Sequence, residues 1–157
     1  MRQDFTIGID SGSTTTKAVV FSPTGAITGT GRRRVPQHMD RPHHVERDMH
    51  EAWEAVIGSV QDALADAGID GSAVAAVGVT AHGDGVFLLD RSSNPLGRGI
   101  MSLDSRAAAF HERWQRDGLS DLVLPVAGQR PYAYSANTLL AWIRENEPER
   151  YAAIGSV

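Results

Sequence analysis

Small hydroxyl residues follow an aspartate near the start of the chain, in the stretch IGIDSGSTTTKAVVF. The apolar run that ends at Asp10 is typical of a buried strand, and a second apolar run follows Lys17. The turn between the two runs consists of Ser11, Gly12, Ser13, Thr14 and Thr15. Its glycine lets an anion approach the backbone, while its amides and hydroxyls can hold that anion. Asp10 offers the oxygen ligands that Mg²⁺ prefers, and Lys17 can offset phosphate charge. These residues could therefore form a binding site for Mg²⁺ and the terminal phosphates of a nucleotide.

Two other interpretations of this turn have to be weighed. It is not a Walker A loop, because the pattern G-x-x-x-x-G-K-[ST] is missing and the segment leads into a strand rather than a helix. A plain β-hairpin with a polar turn stays open, since small hydroxyl residues are ordinary turn formers.

Hydrophobic patterning predicts an α/β chain with a mixed sheet, in the order β-β-β-α-β, a second hairpin and then helices. The first three strands are predicted to form an antiparallel meander. The predicted strands are residues 5–10, 17–21, 26–35, 75–80, 86–89 and 99–103, and the predicted helices are residues 48–67, 106–117, 119–124, 137–146 and 148–154. The strand at 75–80 has no polar break, which favours a buried central position. In the first helix, one apolar stripe is predicted to face the core, formed by Met49, Trp53, Val56, Ile57, Val60 and Leu64.

Length and composition exclude several classes of protein. The 157 residues fit one domain with a sizeable core. A net charge of -4 with mixed signs does not indicate a nucleic-acid partner. There is no cysteine, which excludes disulfides and thiolate metal sites. The lack of a long apolar run and of a signal-type N-terminus predicts no membrane association and a cytoplasmic location.

Three other groups of residues favour structural explanations over chemical ones. Four histidines, at His38, His43, His44 and His50, match no common zinc spacing, so they are interpreted as part of a solvated loop over residues 37–47 and the start of the helix. The arginines at 32–34 are expected on a solvated strand near a sheet edge. The tryptophans, at Trp53, Trp114 and Trp142, are expected to pack in the core.

Four stretches together resemble a known family. The first, IGIDSGSTTTKAVVF, resembles the first phosphate motif of the actin-like ATPase superfamily. Three more, HVERDMHEAW, GVTAHGDGVFLLD and NPLGRGIMSLDSRA, resemble successive elements of the FGGY carbohydrate kinases and occur in the family's order. Within that family the likeness is strongest to kinases of L-xylulose, with kinases of erythritol as a near rival.

The resemblance implies an ATP-dependent kinase of a pentulose or sugar alcohol, with a ribonuclease-H-like α/β fold and an incomplete N-terminal domain over residues 1–157. It implies that Asp10 lies near Mg²⁺ and the transferred phosphoryl group. The implied nucleotide site consists of Asp10, Gly12, Ser13, Thr14, Thr15 and Lys17. The implied sugar site includes His82, Gly83, Asp84 and Asp104, where Asp104 is alternatively a structural partner of Arg106. Several xylulose kinases have Gln-Met-His-Gly where this chain has His-Gly-Asp-Gly at 82–85, which argues against D-xylulose as the substrate.

Parts of a complete kinase have no counterpart in this sequence. By the resemblance, the catalytic base, the second phosphate motif and the adenosine motif lie beyond Val157, so no residue here is assigned as the base. The implied partner of this chain is therefore a C-terminal kinase domain, without which the piece alone is expected to be inactive. A homodimer of the full-length protein stays open. The alternative function is a non-catalytic nucleotide-binding or protein-interaction domain of actin-like fold.

Overall fold

The computed structural model describes residues 4–157, which form two compact units. Unit 1 takes in the chain up to Pro36 together with Met49–His82, and unit 2 takes in Gln37–Asp48 together with Gly83–Val157. The single domain over residues 1–157 stays a prediction, and within it the chain folds as these two units.

The secondary structure follows the predicted order closely. The strands are β1 (Phe5–Ser11), β2 (Thr15–Phe21), β3 (Ile27–Arg34), β4 (Glu46–Arg47), β5 (Val74–Ala81) and β6 (Gly99–Ile100). The helices are α1 (Met49–Ala67), α2 (Ala108–Arg116), α3 (Leu119–Ala127), α4 (Ala136–Asn146) and α5 (Pro148–Ala152), with a 3₁₀ turn at Gly71–Ala73. No helix within residues 4–157 has both the length and the apolar composition of a membrane span.

Unit 1 is built on a mixed four-stranded sheet in the order β3-β2-β1-β5. The first three strands form the predicted antiparallel meander, and β5 pairs with β1 in parallel. Alternate side chains of β1 and β2 form an apolar face toward α1, with Ile7, Ile9, Ala18 and Val20 buried. The predicted meander and mixed sheet are therefore confirmed.

Two glycines on β3 determine where α1 sits on the sheet. A Cβ atom added at Gly31 would lie 1.9 Å from the Ser59 carbonyl oxygen, and one added at Gly29 would lie 2.3 Å from the Ala63 carbonyl oxygen. Only glycine permits so close an approach of strand and helix backbones. The helix therefore presents its small side chains to the sheet, and Ala55, Ser59 and Ala63 are buried.

The position of α1 on the sheet means that its buried side chains differ from the predicted ones. Val56, Val60 and Leu64 do pack against the core as half-buried neighbours. Trp53 and Ile57, however, are 63% and 40% exposed, so the prediction that Trp53 packs in the core was wrong. The physical reason is that the β3 glycines select the small-residue face of the helix, which turns its largest apolar side chains away from the sheet.

The predicted central position of β5 was also wrong for the described part of the chain. Within residues 4–157, β5 is an edge strand whose only strand partner is β1. Val77 and Val79 point to the same side of the sheet as Ile7 and Ile9, yet they are 56% and 70% exposed. Because α1 packs mainly over β3 and β2, it leaves β5 uncovered.

Unit 2 contains less strand than the second predicted hairpin requires. Residues 86–89 make isolated bridges, from Val86 to Ile100 and from Leu89 to Pro95 and Ser156, and β6 is only two residues long. β6 pairs with β4, which forms at the end of the predicted loop. The unit's core is nevertheless contiguous, with Val86, Leu88, Ile100, Ala107, Leu139 and Ile143 buried and Trp142 packed against them.

A buried ion-pair network ties two segments of unit 2 together, residues 45–46 and residues 104–106. Arg106 donates through Nε to Asp104 Oδ1 at 2.9 Å, and through Nη2 to Asp104 Oδ2 at 2.8 Å and Glu46 Oε1 at 2.7 Å. Asp104 also accepts from the Val45 amide, at 2.7 Å. Burial lowers the pKa of Arg106, but its bonds to Asp104 and Glu46 outweigh burial, so this pKa lies above its usual value. The Arg106 guanidinium also lies over the Trp142 ring, with its Cζ 5.2 Å from the ring centroid.

The packing of α1 on β3 predicts the effect of adding one methyl group. Gly31→Ala should lower the free energy of unfolding by about 1–3 kcal/mol, because the helix backbone has to shift. Gly78→Ala is the matched control, since nothing lies within 4 Å of an added Cβ there. Urea unfolding monitored by circular dichroism measures both. Equal effects of the two substitutions would contradict the close approach.

The buried network predicts a large difference between two arginines. Arg106→Met should lower the free energy of unfolding by about 3–5 kcal/mol, because it leaves the Asp104 carboxylate buried without a counter-ion. Arg130→Met removes the partner of the Asp121 carboxylate and should have little effect, since both of these side chains are more than half exposed to water. Chemical unfolding of both variants tests this, and a similar loss in the two would contradict a buried role for Arg106.

Candidate functional site

The β1–β2 turn of unit 1 is tight at its glycine. The Gly12 amide donates to the Thr15 carbonyl oxygen at 3.1 Å. A Cβ atom at Gly12 would lie 2.9 Å from that oxygen and 4.0 Å from each carboxylate oxygen of Asp10. A side chain here would therefore crowd the Thr15 carbonyl oxygen of the turn and come into contact with the carboxylate, which explains the glycine among the hydroxyl residues.

Asp10 lies where the two parallel strands of the sheet end. It pairs with Lys17 across β1 and β2 and with Thr80 across β1 and β5. Its carboxylate Oδ2 is 3.9 Å from Lys17 Nζ, and both side chains are about half exposed, at 47% and 53%. Ligands of α/β sheets bind at the carboxyl ends of parallel strands. The strand pairing places Asp10 at this end of the sheet.

The sheet face that carries Asp10 has a groove of about 480 Å³. It runs over the side of the sheet opposite Ile7 and Val20, and it is lined among others by Gly8, Lys17, Val19, Phe21 and Thr80. The lining is mostly apolar, with the Asp10 and Lys17 side chains at its polar end.

His82 joins the end of β5 to the end of β1. Its amide donates to the Ser11 carbonyl oxygen at 3.2 Å, and its ring Nδ1 lies 3.4 Å from the same oxygen. Unit 1 therefore holds Asp10, the hydroxyl turn, Lys17 and His82 at one edge of one sheet. Of the residues in the predicted nucleotide and sugar sites, these are the ones that the structure brings together.

Asp84 occupies a strained turn in unit 2. Its φ of 61° lies in the left-handed region, which few non-glycine residues adopt, and Gly85 follows with a φ of 84°. A Cβ atom at Gly85 would lie 2.3 Å from the Ile100 carbonyl oxygen, so this position requires glycine. The backbone thus exposes the Asp84 carboxylate at the surface, and such strain is concentrated at functional sites.

Asp104 is the buried ion-pair partner of Arg106, and its place in the sugar site stays a prediction. Its side chain is fully buried, and both carboxylate oxygens accept hydrogen bonds from Arg106. Its environment is therefore that of a structural partner of Arg106, and its carboxylate is not presented to solvent.

Two tyrosines beside the Asp84 turn were not anticipated from the sequence. The Gly85 amide donates to the Tyr134 carbonyl oxygen at 3.2 Å. The Tyr134 ring stacks on that of Tyr132, with 5.6 Å between centroids and 10° between planes. The signal was the PYAYS stretch that ends at Ser135, the residue just before α4, because aromatic residues in a loop are candidates for ligand contact.

The histidine-rich segment adds no metal ligand set. Within residues 4–157, no group of three or more His, Asp or Glu side chains is placed to hold a metal ion. The His44 ring instead packs edge-on against Trp142, 5.9 Å between centroids, and His43 Nδ1 lies 3.2 Å from Ser105 Oγ. The loop histidines thus have structural neighbours in unit 2.

Known proteins resemble this chain over nearly its whole length. The Escherichia coli L-xylulose/3-keto-L-gulonate kinase is 36% identical over 151 residues, which are 96% of this chain and 30% of that protein. A probable L-xylulose kinase of Haemophilus influenzae is 34% identical over 96% of this chain, and a glycerol kinase of Bordetella pertussis is 33% identical over 92%. The chain spans about 30% of the length of these relatives.

Solved structures share the fold at lower identity. A xylulose kinase from Rhodospirillum rubrum superimposes with a TM-score of 0.88 at 22% identity, over 97% of this chain and 31% of that one. An ADP complex of Plasmodium falciparum glycerol kinase gives 0.83 at 18% identity, over 96% and 30%. These likenesses confirm the α/β fold with a mixed sheet and flanking helices. The model of the N-terminal domain of the FGGY family of carbohydrate kinases matches residues 5–157, and the chain belongs to that family.

Proposed function

We propose that the full-length protein phosphorylates a pentulose or sugar alcohol, of the L-xylulose type, with ATP and Mg²⁺. The observation that carries this proposal is the edge of unit 1, where Asp10, the hydroxyl turn and Lys17 meet at the ends of two parallel strands. Membership of a carbohydrate kinase family supports phosphoryl transfer as the use of that edge. The names of the L-xylulose kinases among the relatives support the substrate class.

In this proposal, the β1–β2 turn holds the terminal phosphates of ATP. The amides and hydroxyls of Ser13, Thr14 and Thr15 donate to phosphate oxygens, and Gly12 keeps the backbone close enough for them to do so. Lys17 adds one positive charge at the same edge. Such fixed donors and charges stabilise the charge of the transition state, which is the main contribution of a protein to phosphoryl transfer.

Asp10 fits the role of the metal-binding carboxylate. Mg²⁺ bound with a nucleotide is commonly held by one or two carboxylates together with the phosphates, and Asp10 offers one half-exposed carboxylate at the turn. The ion, when bound, would neutralise charge on the phosphates during transfer. Asp10 itself orients the site and is not assigned as the base.

The sugar contacts in this proposal are made by His82, Gly83 and Asp84. The exposed Asp84 carboxylate can accept hydrogen bonds from two adjacent hydroxyls, and Gly83 leaves its surroundings open, since nothing lies within 4 Å of an added Cβ there. Asp104 serves by positioning, because it fixes Arg106 and the Val45 backbone rather than the sugar. Tyr134 joins the candidate sugar contacts through its bond to Gly85.

The base that accepts the sugar hydroxyl proton is proposed to lie outside this chain, in a C-terminal domain of the full-length enzyme. The uncovered β5 supports this view, since a parallel strand with exposed Val77 and Val79 is normally covered on both faces. Residues 1–157 alone should accordingly be inactive. A cytoplasmic location is part of the same proposal, because its nucleotide and sugar substrates are metabolites of the cytoplasm.

The metal role of Asp10 predicts a large loss of turnover. In the full-length protein, Asp10→Asn should lower kcat by about 10²-fold or more, because the metal that neutralises charge on the phosphates would lose its anionic ligand. Asp117→Asn, at an exposed position at the end of α2, is the control and should leave kcat unchanged. Initial rates of ADP release at saturating Mg²⁺, with unfolding midpoints to show intact folds, measure this. Near-wild-type turnover of Asp10→Asn would exclude the assignment of Asp10 to the metal, whereas a wild type that releases no ADP would favour a non-catalytic domain.

The exposed carboxylate of Asp84 predicts substrate preference. The full-length enzyme should prefer L-xylulose or a four- or five-carbon polyol, and Asp84→Asn should lower kcat/KM for that substrate by about 10- to 100-fold. Asparagine tolerates the left-handed backbone, so the loss reports on the carboxylate alone. Ser93→Asn, at another left-handed position (φ 64°), is the control. A panel of sugars that shows a clear preference for glycerol or D-xylulose would contradict the assignment.

A further inference from the structure

We infer that Arg32 is a further part of the nucleotide site, where its charge raises the affinity of the β1–β2 turn for the phosphates of Mg-ATP. The inference rests on the proposed function, because it takes this turn to be a phosphate site. It also assigns a role to one of the three consecutive arginines at 32–34, which the proposed function leaves without one.

Arg32 lies on the same face of the sheet as Asp10 and Lys17. The register of the sheet pairs Asp10 with Lys17 and Lys17 with Arg32, so the three residues form one row across β1, β2 and β3. Residues paired in this way on neighbouring strands share a face. The next residues along the strands, Ile9 and Ala18, are buried on the side of α1. Because successive side chains alternate between faces, the row lies on the face away from α1.

The other two arginines have different surroundings. Arg33 points toward α1, where its Nη2 donates to Asp62 Oδ1 at 2.7 Å. Arg34 lines a recess that also contains Glu54 of α1. The Arg32 side chain is exposed, and within residues 4–157 it forms no hydrogen bond or ion pair with another residue. Its charge is therefore available to a ligand on the open face of the sheet.

The strand register places this charge close to the phosphate turn. Thr15, the last residue of the turn, precedes Lys17 by two positions on β2, and Lys17 is the partner of Arg32. One strand spacing sideways and two residues along the strand give about 8 Å between the Cα atoms of Arg32 and Thr15. The Debye length at physiological ionic strength is also about 8 Å. Phosphates bound at the turn would therefore interact with the Arg32 charge without complete screening.

The pairing of Arg32 with Lys17 is unfavourable unless an anion is bound. Like charges at directly paired positions destabilise a sheet, and the carboxylate nearest to Lys17 Nζ, that of Asp10, is 3.9 Å away on the other side. The phosphates of a nucleotide would attract both cations at once, which offsets their repulsion. The arrangement thus favours the ligand-bound state over the empty one.

Protection of the sheet edge does not account for this position. Charged residues on an edge strand prevent pairing with another chain, and Arg33 and Arg34 already supply two such charges on β3. Edge protection also does not require a cation opposite Lys17, where the cross-strand repulsion is largest. A role toward an anion explains why the charge is at residue 32.

The test compares the affinity of full-length variants for Mg²⁺ with a non-hydrolysable ATP analogue, measured by calorimetry at low ionic strength. Arg32→Gln should raise the Kd of the analogue and the KM for ATP by about three- to tenfold, because one unit charge near the phosphates is lost. Its kcat should stay within about twofold of the wild type, since the charge acts on binding. Arg32→Lys retains the charge, and its Kd should remain within about twofold of the wild-type value.

Arg33→Gln is the matched control. It removes the same charge from the next residue, but this guanidinium is on the α1 face and is already compensated by Asp62. The Kd of this variant should therefore change by less than about twofold. The urea midpoint of Arg32→Gln should equal or exceed that of the wild type, because the repulsion with Lys17 is removed.

Salt separates an electrostatic role from a structural one. At about 1 M salt the Debye length is about 3 Å, so the difference between Arg32→Gln and the wild type should fall below about twofold. Three results would overturn the inference: an unchanged Kd in Arg32→Gln, a loss of affinity that persists at high salt, or an equal loss in Arg33→Gln. A wild type that binds the analogue with no dependence on Arg32 would leave the proposed function intact, whereas a wild type that binds no nucleotide would overturn both.

Discussion

The parallel pairing of β1 with β5 is the contact on which the candidate site depends. Parallel strands require a long crossover between them, and here β2, β3 and α1 lie between the two in sequence. The pairing aligns Asp10 with Thr80 and Ser11 with Ala81, so both strands end at one edge. Asp10, the hydroxyl turn and His82 meet there because the strands run in the same direction, whereas an antiparallel β5 would carry His82 to the opposite edge.

The glycine pair on β3 is a second constraint, and it affects the exposure of both α1 and β5. Gly29 and Gly31 bring α1 into backbone contact with β3, which fixes the helix over one side of the sheet. The large residues of the helix, Trp53 above all, consequently face outward, and Val77 and Val79 on β5 are left uncovered. Both places expose large apolar side chains, and a contiguous exposed apolar surface commonly marks a site of contact.

The sequence predicted those features that depend on local pattern. The meander, the extent of α1 and the turn at Gly12 follow from apolar runs, turn residues and helix ends, which act over a few neighbouring positions. The buried face of α1 could not be predicted in this way, because it is chosen by Gly29 and Gly31 on another element. The prediction that β5 is buried was wrong for a related reason. An apolar sequence indicates that a strand can be covered by another element, but it does not show whether that element is present. Asp104 was identified as a candidate, but only the fold showed that Arg106 occupies both of its oxygens.

The central claim is that the β1–β2 turn and Asp10 form the phosphate and metal half of a kinase site. Its most direct test is a crystal structure of the full-length protein with Mg²⁺ and a non-hydrolysable ATP analogue. We expect terminal phosphate oxygens within hydrogen-bonding distance of amides in residues 12–15, with the Mg²⁺ ion bound to Asp10 directly or through one water. A nucleotide bound elsewhere, or phosphates that contact neither the turn nor Asp10, would contradict it.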